Sequence, residues 1–306
     1  MRAPGGSAAA PGDRRGRVLR AALASAAAVS VVAVFANIVF LIAFALPMLH
    51  GDALGKLLSW RWRPLQGEFG ILAMLAGSLC LASSAMLLAF PSALALCAFA
   101  HGIGPSWAAR PLRLAMRVMS SVPTVVYGLV SVFLLVPTIR GALGGSGFCW
   151  LAALLTLALL TLPTLVLIID HAFTQAGAPL RLSAAALGMS PGQQLLHLVV
   201  PLSRRGLVAA LALGFARAVG DTLIPLMLAG NAAQPPGSLL DPLRTLTSHI
   251  ALTVATDSQS VAYHSLFACG VFLFVFSLAI NFVLQRLRAP GEHGHGSPEV
   301  RRRAGL

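Results

Sequence analysis

The sequence predicts an all-α polytopic membrane protein with six transmembrane helices, and three observations carry that expectation. The 306 residues are 57% hydrophobic and only 10% charged, whereas roughly a quarter of the residues in soluble domains are charged. Mean hydropathy is +0.83, so too few polar side chains remain to cover a water-soluble globule, and a wholly disordered chain is excluded for the same reason. The apolar residues are gathered into long runs, with the charges at their ends.

A bilayer core of about 30 Å needs about 20 helical residues. Six stretches satisfy this: 22–48, 70–98, 114–137, 148–170, 206–230 and 265–285. The first follows Arg14, Arg15, Arg17 and Arg20, as a signal peptide would. Its 29 uncharged residues from Ala21 to Leu49 exceed the about 7–15 of a signal core, so it reads as an uncleaved span. The second lies within 32 uncharged residues between Glu68 and His101. That exceeds one span and implies a tilt or bend, with Pro91 a candidate kink. The fifth contains Arg217 and Asp221. The chain thus divides into a basic tail (1–20), a six-helix domain (21–288) and a second tail (289–306). The Gly/Pro/Arg-rich residues 1–17 and 289–306 are expected to be irregular.

With the N-terminus inside, 16 of the 22 Lys and Arg residues fall on inside segments: the two tails, the 99–113 loop and the 171–205 loop, counting flanking helix ends. The positive-inside rule therefore favours N-in and C-in. This also accounts for the net charge of +13 without nucleic acid, since no basic, aromatic-studded face is present. Cys80, Cys97, Cys149 and Cys269 lie inside apolar runs, form no CxxC pair and read as small buried hydrophobes, with no metal site. Gly51 to Leu57 looks like a phosphate loop at a glance. Its glycines are one residue too close, and Leu57 stands where a magnesium-ligating hydroxyl belongs. No GxSxG or HExxH occurs. The chain reads as a non-enzyme whose energy comes from elsewhere.

Two constellations carry functional information. The first is Arg217-Ala-Val-Gly220-Asp221-Thr222. Arg217 is 11 residues into the fifth run, about 16 Å deep and near the midplane. In a continuous helix Arg217 and Asp221 share a face. A charge there costs at least ~2.5–3.5 kcal/mol, which points either to a pathway or gate or to a structural ion pair. A guanidinium also matches the geometry of an oxyanion. The second is the inside loop 171–205. Leu182-Ser-Ala-Ala-Ala-Leu-Gly188 favours a helix ended by Gly188, and Ser190-Pro191 suits the cap and first position of another. The result is a short helix–turn–helix across the cytoplasmic mouth, or more plainly an interfacial linker.

The loop resembles the EAA motif of binding-protein-dependent ABC importer permeases, E-A-A-x-x-x-G-x(9)-I-x-L-P, here L-S-A-A-A-L-G-x(9)-L-V-V-P. Leu182 stands for the glutamate, Ser183 for the first alanine and Val200 for the leucine, while Ala184, Gly188 and Pro201 match in register. Trp62-Arg-Pro64-Leu-Gln-Gly67-Glu-Phe69-Gly70-Ile71 is similar to the segment before the second span of PstC-type phosphate permeases. Ser121-Val-Pro123-Thr-Val-Val-Tyr127-Gly128 and Val136-Pro137-Thr-Ile-Arg140 resemble their third-span signature. Arg217-Ala-Val-Gly-Asp-Thr resembles their R-A-x-G-E-T, with Asp221 for glutamate, and Ala229-Gly230-Asn231 favours PstC over its sister PstA. The likeness covers about residues 20–288.

The resemblance implies a type I importer (MetI-like) fold in the bacterial inner membrane and alternating access driven by another subunit's ATP. The helix near Ser183–Gly188 would be the coupling helix, with Leu182, Ser183, Ala184, Gly188 and Pro201 in the ATPase-coupling loop. Arg217, Asp221, Thr222, Tyr127, Thr124 and Arg140 are the candidate pathway or gate residues. Core packing competes for Tyr127 and interface anchoring for Arg140. The implied partners are a cytoplasmic ABC ATPase dimer, a PstA-type permease or a second copy of the chain, a periplasmic phosphate-binding protein and the bilayer. This chain would bind no cofactor, since ATP and magnesium belong to the ATPase. Alternatives are a permease for molybdate, tungstate or sulfate, an ion-driven secondary transporter using Arg217 and Asp221 as a relay, and a membrane assembly protein.

Overall fold

The computed structural model describes residues 12–49, 52–63, 66–256 and 261–288. The first helix, α1 (Gly12–Leu49), begins inside the basic segment expected to be irregular. Arginine and alanine are good helix formers, and a long apolar helix propagates readily into them. Residues 1–11 and 289–306 lie outside the described residues. Helix α1 stands at the edge of the bundle, with Val18, Phe35 and most of its apolar side chains exposed. It packs on the last helix, where Phe40 and Phe44 meet Phe267 at ring distances of 5.7 and 5.0 Å.

A short α2 (Asp52–Leu57) leads to a two-stranded hairpin, β1 (Trp62–Arg63) and β2 (Glu68–Phe69). The strands are antiparallel, with Trp62 opposite Phe69 and Arg63 opposite Glu68. Helix α3 (Leu72–Ala98) passes Pro91 as one continuous helix and ends in a π-helical turn, Phe99–Ile103. Next come α4 (Ser106–Ser120) and α5 (Thr124–Leu143). The expected span 114–137 is therefore wrong at its start. Pro123 ends the apolar run as a helix because proline disfavours helical backbone in the residue before it. Helix α4 is amphipathic. It buries Ala109 and Met116, exposes Trp107 and carries Arg110, Arg113 and Arg117, as an interfacial helix does.

Helix α6 (Trp150–Gly177) is the central element. It packs along α3, where Ala85, Ala89 and Ala93 meet a core that includes Leu157, Leu165 and Ile169. Small residues let apolar helices approach closely, which replaces the hydrophobic driving force that lipid does not supply. After a 3₁₀ turn come α7 (Arg181–Ala186), α8 (Pro191–Gln194), a π-helical turn and α9 (Val200–Leu202). Helix α10 (Arg204–Gly220) follows, then α11 (Leu223–Leu228), α12 (Leu246–Thr256) and α13 (Val261–Arg288). The fifth apolar run is thus split at Asp221–Thr222, and α12 lies between the fifth and sixth apolar runs, where the sequence reading placed no helix. All four cysteines are free thiols; Cys97, Cys149 and Cys269 are buried.

Among the described residues, four helices are long and apolar enough to cross a membrane: Val18–Leu46, Leu72–Ile103, Thr124–Leu143 and Trp150–Ala186. Pro191–Leu202 and Arg204–Gly220, bent by 69°, make a fifth if taken as one span.

Candidate functional site

The sequence places Arg217 and Asp221 on one continuous helical face, and the structure ends the helix between them. Helix α10 stops at Gly220, and Asp221 is extended, at φ −69° and ψ 130°. Its carboxylate Oδ1 accepts a hydrogen bond of 2.9 Å from the Ile224 N–H in the first turn of α11. The sequence reason is local. Gly220 costs helix stability, an Asp side chain favours capping over helix interior, and Pro225 is tolerated in a first turn, where its missing N–H has no intrahelical use. Thr247 fixes the break from outside, donating from Oγ1 to the Asp221 carbonyl at 2.8 Å. The N-terminus of α12 is held in turn by α3, where the Leu246 N–H donates to Ser78 Oγ at 2.9 Å. A side chain at Gly77 would collide with the Arg244 carbonyl, so this approach requires glycine. Arg217 is exposed on the last turn of α10. No ion pair within 4.0 Å joins it to Asp221, both being described residues.

The other candidate pathway residues are dispersed. Thr222 lies in the break itself, and Thr124 opens α5 half-buried. Tyr127 is partly buried against the core, and its hydroxyl donates to the Met119 carbonyl of α4 at 2.9 Å. That bond clamps the α4–α5 turn. Arg140 donates from Nε and Nη2 to the Ser146 carbonyl, at 3.0 and 2.8 Å, closing the loop after α5.

The 171–205 loop forms the helix–turn–helix that its sequence encodes. Ser183 and Ala184 lie in α7, which ends before Gly188 at φ +70°, a conformation that L side chains disfavour. Ser190 caps α8 reciprocally: its Oγ accepts from the Gln193 N–H at 3.3 Å, and its own N–H donates to Gln193 Oε1 at 2.9 Å. Leu182 is 86% and Leu187 79% exposed, so α7 presents leucines outward instead of burying them. Ala184 is its buried contact, and Pro201 lies in α9. Nothing stands within 4 Å of a Cβ at Gly188. Gly188→Glu is therefore expected to cost about 1–2 kcal/mol in backbone conformation without a clash, and to place a carboxylate beside the exposed leucines. If the loop couples to an ATPase as its resemblance to the EAA motif implies, the expected result is intact purification with loss of binding-protein-stimulated ATP hydrolysis, and normal stimulated turnover would remove the loop from that path.

A cluster behind this loop escaped the sequence reading. Asp170 Oδ1, on α6, receives His101 Nε2 at 2.8 Å and Arg113 Nε at 3.1 Å. Arg113 also donates from Nη2 to the Ala100 carbonyl at 3.0 Å. One carboxylate thereby joins α6, α4 and the π-helical turn after α3. That turn abuts the loop: a side chain at Gly102 would meet the Pro191 backbone of α8. A cavity of about 440 Å³ lies between them, lined by His101, Arg113, Arg181 and Gln194 among others. The available signal was an acid ending an apolar run, but its partners lie 57 and 69 residues away.

These features define an integral α-helical membrane protein with an interrupted helix, capped by its own aspartate, and a structured loop beyond it. Residues 96–289 match the family described as binding-protein-dependent transport system inner membrane component, and the chain belongs to that family. It is 27% identical to the phosphate transport system permease protein PstC of Haemophilus influenzae over 251 residues, covering 76% of this chain and 79% of that one. It is 31% identical to the probable ABC transporter permease protein YqgH of Bacillus subtilis over 235 residues, covering 76% of each. A chain in the crystal structure of a bacterial alginate ABC transporter, in complex with alginate pentasaccharide-bound periplasmic protein, aligns with TM-score 0.66 and 13% identity. It covers 90% of this chain and 95% of that one, a likeness of fold.

Proposed function

We propose that this chain is the membrane-spanning permease subunit of an ATP-driven, binding-protein-dependent importer that carries inorganic phosphate across the bacterial inner membrane. The observation that carries the substrate is the likeness to PstC over three quarters of both chains. In this reading the six spans are α1, α3, α5, α6, α10 with α11, and α13, all within residues 21–288. Both tails (1–20 and 289–306) are cytoplasmic, as the Lys and Arg distribution favours. Helix α4 lies on the cytoplasmic surface and α12 on the outer side.

The break at Asp221–Thr222 is the moving part. An interrupted helix bends where it lacks backbone hydrogen bonds, and irregular backbone at membrane depth belongs where it lines a cavity. Arg217, one turn earlier, offers a planar fork for two phosphate oxygens. It holds the anion transiently, since tight binding would hinder release. Asp221 acts through the backbone by holding α11 in place. A cytoplasmic ABC ATPase dimer, with its own ATP and magnesium, docks on α7 and draws the loop as it closes; this chain holds no cofactor. A periplasmic phosphate-binding protein delivers from the other side. The exposed Val125, Leu129 and Phe133 of α5 supply a face for a PstA-type permease or a second copy of the chain.

The test is labelled-phosphate uptake in vesicles containing this chain, its permease partner, ATPase and binding protein. ATP-dependent uptake that resists molybdate and sulfate is expected. ATP-dependent uptake of another oxyanion would keep the mechanism and replace the substrate. No ATP-dependent uptake by an intact complex would overturn both.

A further inference from the structure

We propose that the groove between α3, α10 and α13 binds one acyl chain of an anionic phospholipid of the cytoplasmic leaflet, with its headgroup held by Arg204 and Arg286. The groove has a volume of about 590 Å³ and an almost wholly apolar lining, with Leu87 and Phe90 of α3, Val208, Leu211 and Phe215 of α10, and Ala279 of α13 on its walls. Leu87, Val208 and Leu211 are 79%, 43% and 42% exposed, so this chain does not fill the groove itself.

Three observations select a lipid as the occupant. The first is which face is used. Val208 is nine residues before Arg217, which puts it about 180° round α10. The groove therefore faces away from the side that carries Arg217, where the pathway and the second permease belong. The second is length. From Arg204 to Phe215 is about 16 Å of helix, close to half of a hydrocarbon core of about 30 Å. The groove thus runs through one leaflet and stops near the midplane. The third is charge. Arg204 is four residues before Val208 and seven before Leu211, and Arg286 is seven after Ala279. Both cations therefore stand on the groove's own helix faces, at the same end, where a headgroup of that leaflet sits. Arg204 and Arg286 are exposed, and Arg286 lies 4.9 Å over the Phe282 ring, which holds it at the rim.

The inference rests on the proposed orientation, with the start of α10 cytoplasmic. Accordingly, the experiment reads lipid and orientation separately. The complex is purified from membranes supplied with equal phosphatidylglycerol and phosphatidylcholine, and retained lipid is counted by native mass spectrometry. Two arginines at about 1 kcal/mol each lead to an expected preference for phosphatidylglycerol of at least ~10-fold. Ala279→Trp, which fills the groove, is expected to retain at least one lipid fewer per chain. Arg204→Gln with Arg286→Gln, both on exposed positions, is expected to keep the lipid and lose most of the preference. An unchanged count in the filled variant overturns the proposal. So does an unchanged preference in the double variant, or cross-linking of Ala279→Cys to the second permease. Labelling of Arg204→Cys by an impermeant maleimide from the outer side of sealed cells would fail the orientation alone, and the lipid count would still decide whether the groove is occupied.

Discussion

Arg217→Ala is expected to abolish phosphate uptake in the reconstituted importer while leaving the complex assembled. Magnitudes separate the two effects. A charged residue at membrane depth costs ~2.5–3.5 kcal/mol on insertion scales, so alanine makes α10 easier to insert. Removing one member of a buried ion pair costs about 3–5 kcal/mol, but Arg217 has no ion-pair partner within 4.0 Å among the described residues. Folding therefore loses only the longer-range attraction between Arg217 and Asp221. Transport has much to lose, because no other cation lies in the turns on either side of the break. Arg217→Lys, which keeps the charge and loses the planar fork, is expected to retain part of the uptake. Asp221→Asn supplies the contrast. Asparagine caps a helix about as well as aspartate, so a residue that acts only on α11 tolerates the change. Uptake near that of the parent chain is expected, and loss comparable to Arg217→Ala would make Asp221 a charge in the pathway. Failure of the Arg217→Ala complex to survive detergent chromatography would return Arg217 to a structural role.

The contrast between Arg217 and Asp221 also shows what the sequence discloses. Local signals were legible. The αL glycine at 188 and the Ser190-Pro191 cap fixed the turn between α7 and α8, because each acts within four residues. Long apolar runs located the four helices that are long and apolar enough to cross a membrane, because a span is a matter of length and composition. Breaks inside such runs were misread. Hydropathy is continuous across Pro123 and across Asp221, so one span was started too early and another taken as unbroken. The shared face assigned to Arg217 and Asp221 followed from that second assumption. Proline's backbone restriction at the first place and capping by Asp221 at the second outvote hydropathy, and each is written in two or three residues against a background of twenty. Helix α12 was missed for the opposite reason. Its first turn, Leu246-Thr-Ser-His, is polar, and it buries those groups against α3 and the Asp221 backbone, contacts that no local pattern announces.

The His101–Asp170–Arg113 cluster is wholly of that nonlocal kind, and its disruption is expected to have the second-largest effect. Asp170→Ala removes the acceptor for two donors at once. A charged hydrogen bond contributes about 1.5–3 kcal/mol, reduced here because the three side chains are 17–33% exposed. The loss is thus expected near 2 kcal/mol, enough to lower thermal stability but not to prevent folding. The functional consequence should be larger than the stability loss. Arg113 and His101 hold the π-helical turn after α3 against α6, and that turn carries the Gly102 contact with α8. In the proposed importer, force from an ATPase on the α7–α8 loop would reach α3 through this contact, and a loosened turn would waste it. Asp170→Ala is expected to keep ATP hydrolysis while lowering the phosphate moved per ATP. A double-mutant cycle with Arg113→Ala should give a coupling of at least about 0.5 kcal/mol for residues in direct contact. Strict additivity, or an unchanged ratio of transport to hydrolysis, would mean that the cluster only fastens α4 to α6 and that coupling passes elsewhere.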